Sequence, residues 1–225
     1  MIRLMRWAPT FGVVALTVML AACGGRAESD STLAEALSFA TDSNGWCFPC
    51  AMSIVTTDGD TITVDSTAGV GAIISGGREV AYNGLDGAGG YENEGQSLRL
   101  VNVGTGERRV VMREYTQVRE IREVPLPSGD ALLVVRMEDG GAGMSHIAIV
   151  DPSRGQLYRA PRSLVASIEG DTLELHSWNG EAPWTEPNGR DPATGLLRAP
   201  PASVHRVSLS AIMRGPVIEN PHSGR

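Results

Sequence analysis

Lysine is missing altogether: in a chain of 225 residues, all 19 basic side chains are arginine. A lysine Schiff base and a phosphate-loop lysine are therefore excluded. Basic charge is in the minority, with 26 acidic residues and a formal net charge of -7. Removal of Arg3 and Arg6 with a leader would take that to -9, from -7 less 2. An acidic surface argues against nucleic acid as a partner, because such affinity comes largely from neutralising phosphates. The four histidines, His146, His176, His205 and His222, show no metal-ligand spacing, and there is no second Cys-x-x-Cys to complete a zinc site. Ser145 lacks a Gly-x-Ser-x-Gly elbow, and its neighbour His146 would point to the opposite face of a strand. No amphipathic helical pattern of useful length follows Asp42. No metal or other cofactor is implied.

What is present begins at the N-terminus. Arg3 and Arg6 give a basic start, Pro9 to Leu20 supply a short apolar core, and Leu20-Ala21-Ala22-Cys23 closes it. This resembles the lipobox of bacterial lipoproteins. The resemblance implies a signal peptide over residues 1–22, cleaved ahead of Cys23, whose thiol then carries diacylglycerol with acyl chains such as palmitate. The apolar run is too short for a spanning helix of about 20 residues, and Gly24, Gly25 and acidic residues follow it at once. The expected location is the cell envelope, outside the cytoplasm and anchored to a membrane by lipid. Gly24 in place of an aspartate after the cysteine favours the outer membrane where a cell has two. If Cys23 carries lipid, only Cys47 and Cys50 remain to pair, and an exported protein with an even count favours a disulfide.

A small, polar tether over residues 23–31 leads to a single domain over 32–225. Thr32-Leu33-Ala34-Glu35 has the spacing of a capping box, with Leu33, Leu37 and Ala40 on one face of a brief helix; the alternative is a frayed approach to a strand. From Ala51 onward the pattern changes to short alternating runs broken by turn residues. Ser53-Ile54-Val55 and Ile62 to Val64 flank Asp58-Gly59-Asp60 as a hairpin. Eleven further strands are expected between Gly71 and Leu209, which makes the domain all-β. Prolines 183, 187, 192, 200 and 201 mark a long loop over 179–203, with Trp178 and Trp184 at its entrance.

Two segments read as copies of one unit. Ser97 to Glu107 aligns with His146 to Gln156, so that Leu100 matches Ile149, Asn102 matches Asp151 and Gly106 matches Gly155, at an offset of 49 residues. Each comes after a strand that leaves a glycine turn, at Ser75-Gly76-Gly77 and Ser128-Gly129-Asp130, and Gly59-Asp60-Thr61 is echoed by Gly170-Asp171-Thr172. The pattern resembles the blades of TolB-type and WD-repeat-like propellers, which implies a small or incomplete β-propeller-like array of antiparallel repeats. A β-sandwich or an open meander is the alternative fold.

Trp46-Cys47-Phe48-Pro49-Cys50 resembles the thioredoxin active-site pattern, which implies a nucleophilic Cys47 resolved by Cys50. That chemistry needs the first thiol at a helix N-terminus after a strand. Here a polar turn precedes the motif and a β-like run succeeds it. A local structural disulfide is therefore expected, with thiol-disulfide oxidoreductase activity as the alternative. The segment from Gly84 to Gln96 crowds glycines with Asp86, Tyr91, Glu92 and Glu94; it lacks the alternation of a calcium loop and reads as a contact loop. The expected function is that of a lipid-anchored binding or scaffolding module for a protein or small-ligand partner, without catalysis. A purely structural envelope lipoprotein is the third reading.

Overall fold

In β2 (Cys50–Thr56) every second side chain is buried, whereas in β9 (Ala131–Glu138) the run Leu132-Leu133-Val134-Val135 is buried without a break. Alternation marks a sheet covered on one face, and an unbroken apolar run marks a sheet covered on both. The computed structural model describes residues 32–40, 50–85, 96–114, 117–138, 145–177 and 203–218, all within the unit Ser31–Arg225. These residues form four antiparallel sheets, each made of strands consecutive in the chain.

The first sheet is β1 (Ala34–Phe39), β2 and β3 (Thr61–Ala68); the second is β4 (Gly71–Ile74), β5 (Glu79–Leu85), β6 (Gln96–Asn102) and β7 (Arg108–Glu114). The third is β8 (Gln117–Pro125), β9, β10 (Ser145–Asp151) and β11 (Gly155–Ala160), and the fourth is β12 (Ser163–Glu169), β13 (Thr172–Ser177) and β14 (Ser203–Ser208). A short helix, α1 (Leu209–Met213), comes after β14.

Three apolar layers join the sheets in order. Met52, Ile54 and Val64 of the first sheet meet Val80 and Tyr82 of the second. Ala81, Leu98 and Leu100 of the second meet Leu133, Val135, Ala148 and Val150 of the third. Leu132, Val134, Ile147 and Ile149, the intervening residues of β9 and β10, face Leu173, Leu175 and Leu209. Successive residues of the third sheet thus enter different cores, which explains the unbroken apolar runs. Strand contacts run in the same order, β1 to β4, β4 to β8 and β10 to β12. The result is an open, propeller-like row of all-β repeats in place of a two-sheet sandwich, with no sheet closed into a barrel.

The proposed repeat occupies equivalent places, since β6 and β10 are each the third strand of a four-stranded sheet. The turn after each is built alike. Asn102 Oδ1 accepts from Thr105 N at 2.9 Å and Asp151 Oδ1 from Ser153 N at 2.7 Å, with Gly106 and Gly155 at positive φ. The echo at Gly59 and Gly170 is looser: both close hairpins, but one joins the second and third strands of its sheet and the other the first and second.

Two elements differ from expectation. The segment from Thr32, read first as a helix with a strand approach as the alternative, is strand β1, which pairs along β2 and packs Leu37 and Phe39 on the first core. So short a segment gains too little from helix nucleation to compete with a sheet edge. The last strand stops at Ser208, whose side chain caps α1 by accepting from Ala211 N at 3.0 Å. Leu209, Ile212 and Met213 then pack on the third core at helical spacing.

Candidate functional site

Because the strands run back and forth, every connection after an odd-numbered strand leaves from one edge of the array, and every connection after an even-numbered strand from the other. The second edge carries only short turns, at 57–60, 75–78, 103–107, 126–130, 152–154 and 170–171. All the longer connections, 40–49, 86–95, 139–144 and 178–202, join strand ends on the first edge. Of the residues singled out in the sequence, Cys23, Cys47, Asp86, Tyr91, Glu92 and Glu94 lie outside the described residues, as do Trp178 and Trp184. Cys50 is described, and it opens β2 on the long-connection edge.

Cys50 is buried, with Sγ 3.2 Å from the carbonyl oxygen of Ala68. It is disulfide-bonded and so not a titrating thiol. Cys50 leads directly into a strand, so the helix N-terminus that would lower a thiol pKa in a redox enzyme is not supplied from this side.

Beneath this edge lies a polar layer that was not anticipated. Asp65, near the end of β3, accepts from Thr67 N at 2.8 Å, from Thr67 Oγ1 at 2.7 Å and from Arg99 Nη1 at 2.9 Å. Burial pulls its carboxyl pKa up, but the Thr67 hydrogen bonds and the Arg99 charge outweigh that and hold it below the ordinary value. Arg99 reaches Asp65 by passing over Gly84, where a Cβ would stand 2.9 Å from Nη1, and its Nη2 donates to Leu85 O at 2.7 Å. The Tyr82 hydroxyl is buried beside the Asp65 carboxylate and the Arg99 guanidinium. Burial, then the charge of Asp65, pushes its pKa up.

A second group ties the second sheet to the third and to the connection from the first. Asn83 Oδ1 accepts from the backbone of Gly69 and Val70, in the connection between the first and second sheets, at 3.0 and 2.7 Å. Its Nδ2 donates to Gln96 Oε1 at 3.0 Å, and the same oxygen accepts from Val118 N of the third sheet at 3.3 Å. Asn83 and Gln96 are the last described side chains on either side of 86–95, apart from Leu85. The strand ends that carry that connection are therefore fixed by buried, satisfied hydrogen bonds. The sequence signal for this group is an amide inside the apolar run of β5 and a charge between Leu98 and Leu100.

Other polar pairings lie on the fourth sheet. Ser203 Oγ and His205 Nε2 are 2.9 Å apart, but no carboxylate among the described residues orients the ring. His176 Nε2 lies 3.1 Å from Glu174 Oε1, and Glu174 also accepts from Arg206 Nε at 2.8 Å; the Arg206 bond, then that of His176, holds the Glu174 carboxyl low. Among the described residues, no three His, Cys, Asp or Glu side chains group to hold a metal ion. No helix among them is long and apolar enough to cross a membrane.

A comparison with protein-family models finds no match, and a comparison with curated proteins finds none either.

Proposed function

We propose that this protein is an extracytoplasmic binding or scaffolding module, held at a membrane by lipid on Cys23 and meeting its partner at the long-connection edge. The observation that carries the reading is the asymmetry of the two edges: six short turns on one, every longer connection on the other. Variable loops on a rigid frame are the usual means of recognition. The frame under this edge is fixed by the Asp65–Arg99 pair and the Asn83–Gln96 relay.

The point of chain entry supports the same reading. Thr32 and Leu33 lie at the short-turn edge, where Thr32 Oγ1 donates to Asp58 Oδ2 at 3.1 Å and Thr57 N donates to Leu33 O at 2.9 Å. The first described residues thus lie at the edge opposite the longer connections. The pairing of Cys47 with Cys50 fits this account as a crosslink at the base of the 40–49 connection. The oxidoreductase reading is less well supported, because Cys50 is buried and opens a strand where such an enzyme has a helix.

The test places a photoreactive residue at Gln117 or Pro161, on the long-connection edge, and at Ser128 or Glu107, on the other, in the full chain in its own envelope. Discrete crosslinked partners from the first two positions and none from the second two are expected. Equal crosslinking from both edges, or none from either, overturns the proposal.

A further inference from the structure

The third and fourth sheets are joined along the chain by two residues, Pro161 and Arg162, at the long-connection edge. Arg162 has φ of 51°, a left-handed value uncommon for a residue with a side chain. The main strand contact between these sheets is β10 to β12, and among the described residues no contact of similar extent joins the fourth sheet to the first or the second. The fourth sheet is therefore an end of the row. Where stability is shared between neighbouring units, an end unit has one interface fewer than an inner one.

A second join lies at the opposite edge, where α1 runs from the turn at 170–171 in the fourth sheet to the turn at 152–154 in the third. At the start of α1 the Asp171 carboxylate accepts from Ser208 Oγ at 2.5 Å and from Ser210 N at 2.7 Å, and Asp171 O accepts from Leu209 N at 2.8 Å. Past its end, Arg154 donates from Nη1 to Met213 O at 2.6 Å and from Nη2 to Gly215 O at 2.7 Å, and Ile218 N donates to Gln156 O at 2.7 Å. A helix leaves amides unpaired at its start and carbonyls at its end. Here a carboxylate of one sheet takes the former and a guanidinium of the other takes the latter. Arg154 is itself set by Asp151, buried beside it, which accepts from Arg154 N at 3.3 Å and holds Oδ2 3.9 Å from Arg154 Nε. Between these two anchors Leu209, Ile212 and Met213 lie on the core that the sheets share.

We infer that α1 with residues 214–218 is a clasp between the third and fourth sheets, with Arg154 as its catch. Closed, it makes the two sheets open together; released, it lets the fourth sheet open ahead of the rest of the array. Pro161 and Arg162 are the hinge, and because the catch lies at the other edge, release parts the sheets from the short-turn side. None of the three bonds beyond α1 lies within the fourth sheet, so their loss leaves the pairing of β12, β13 and β14 intact. The clasp stands whether or not the long-connection edge binds a partner.

Amide hydrogen exchange on the full chain tests this, with β13 reporting on the fourth sheet and β6 on the second, each a strand paired on both sides. Arg154→Ala removes two charge-assisted hydrogen bonds from the clasp and nothing from a core. It should speed exchange from β13 at least fivefold more than from β6. Any smaller difference overturns the inference, including equal acceleration of both strands, which is the mark of a uniform loss of stability. Ile218→Pro is a milder variant at a 39% exposed position, and it removes only the amide donated to Gln156 O, leaving Arg154 and Asp151 paired. There β13 should gain at least twofold over β6, and the absence of that gain also overturns the inference.

Discussion

At the scale of single residues, the weight of the account falls on Asp65. Its folded pKa is depressed, so the ionised form is favoured in the native state, and its contribution is complete above the ordinary carboxylate value and lost as pH falls through the folded one. Asp65→Asn should cost about 2–4 kcal/mol at pH 7, because it leaves the Arg99 charge, itself only 22% exposed, without its partner. The same variant should lose less stability than wild type between about pH 4 and pH 2. Denaturant midpoints across that range check both statements. Tyr82 behaves in the opposite sense. Its raised pKa favours the neutral phenol in the folded state, so that contribution is whole below about pH 10 and fades as pH rises beyond it. Since that limb comes from a buried hydroxyl beside Asp65, Tyr82→Phe should flatten the alkaline limb of the stability profile, read from denaturant midpoints above about pH 10.

Among elements, burial on two faces makes a claim that a one-sided sheet does not. Leu132→Ala and Leu133→Ala point into different cores, and each should cost about 2–5 kcal/mol. On β2 the pair Ile54 and Val55 should split, with Ile54→Ala costing about as much and Val55→Ala under about 1.5 kcal/mol, since Val55 is outside the core. Chemical denaturation of the four variants decides it. The turns offer a second contrast. Gly77 and Gly129 both have φ of 91°, but a Cβ at Gly129 meets open space, whereas at Gly77 it stands 2.9 Å from Ala34 O. Gly129→Ala should therefore cost about 1 kcal/mol and Gly77→Ala visibly more, measured the same way.

These elements also show what could be read in advance. Strand limits were legible because turn residues such as Asp58-Gly59 and Ser128-Gly129 impose the left-handed glycine of a three-residue hairpin wherever the chain folds. The match of Asn102 to Asp151 was legible because each side chain caps its own turn through local hydrogen bonds. β1 was not, since its identity depends on a partner strand that only the fold provides. Asn83, Gln96 and Arg99 were missed for the same reason. Each is polar in an apolar run, and its meaning comes from groups far along the chain, Val70, Val118 and Asp65. Nothing in the local pattern of 214–218 marks it as the cover of a sheet edge, because Arg154 lies in another hairpin.

For the whole molecule, four sheets in a row share three cores, and the two inner sheets are shielded on both faces. Such a stack has long-range contacts between successive sheets, and among the described residues no sheet closes into a barrel. Thr32 lies at the short-turn edge, and the other edge bears the longer connections. This arrangement has its proposed use only if the protein is fixed at its N-terminus. Intact mass of the protein extracted from cell membranes with detergent tests that most directly. The account expects a chain beginning at Cys23 with the added mass of diacylglycerol and its acyl chains, and a Cys23→Ser variant that retains residues 1–22 and carries no lipid. A membrane-derived chain that begins at Met1, or one that begins at Cys23 without added lipid, contradicts it.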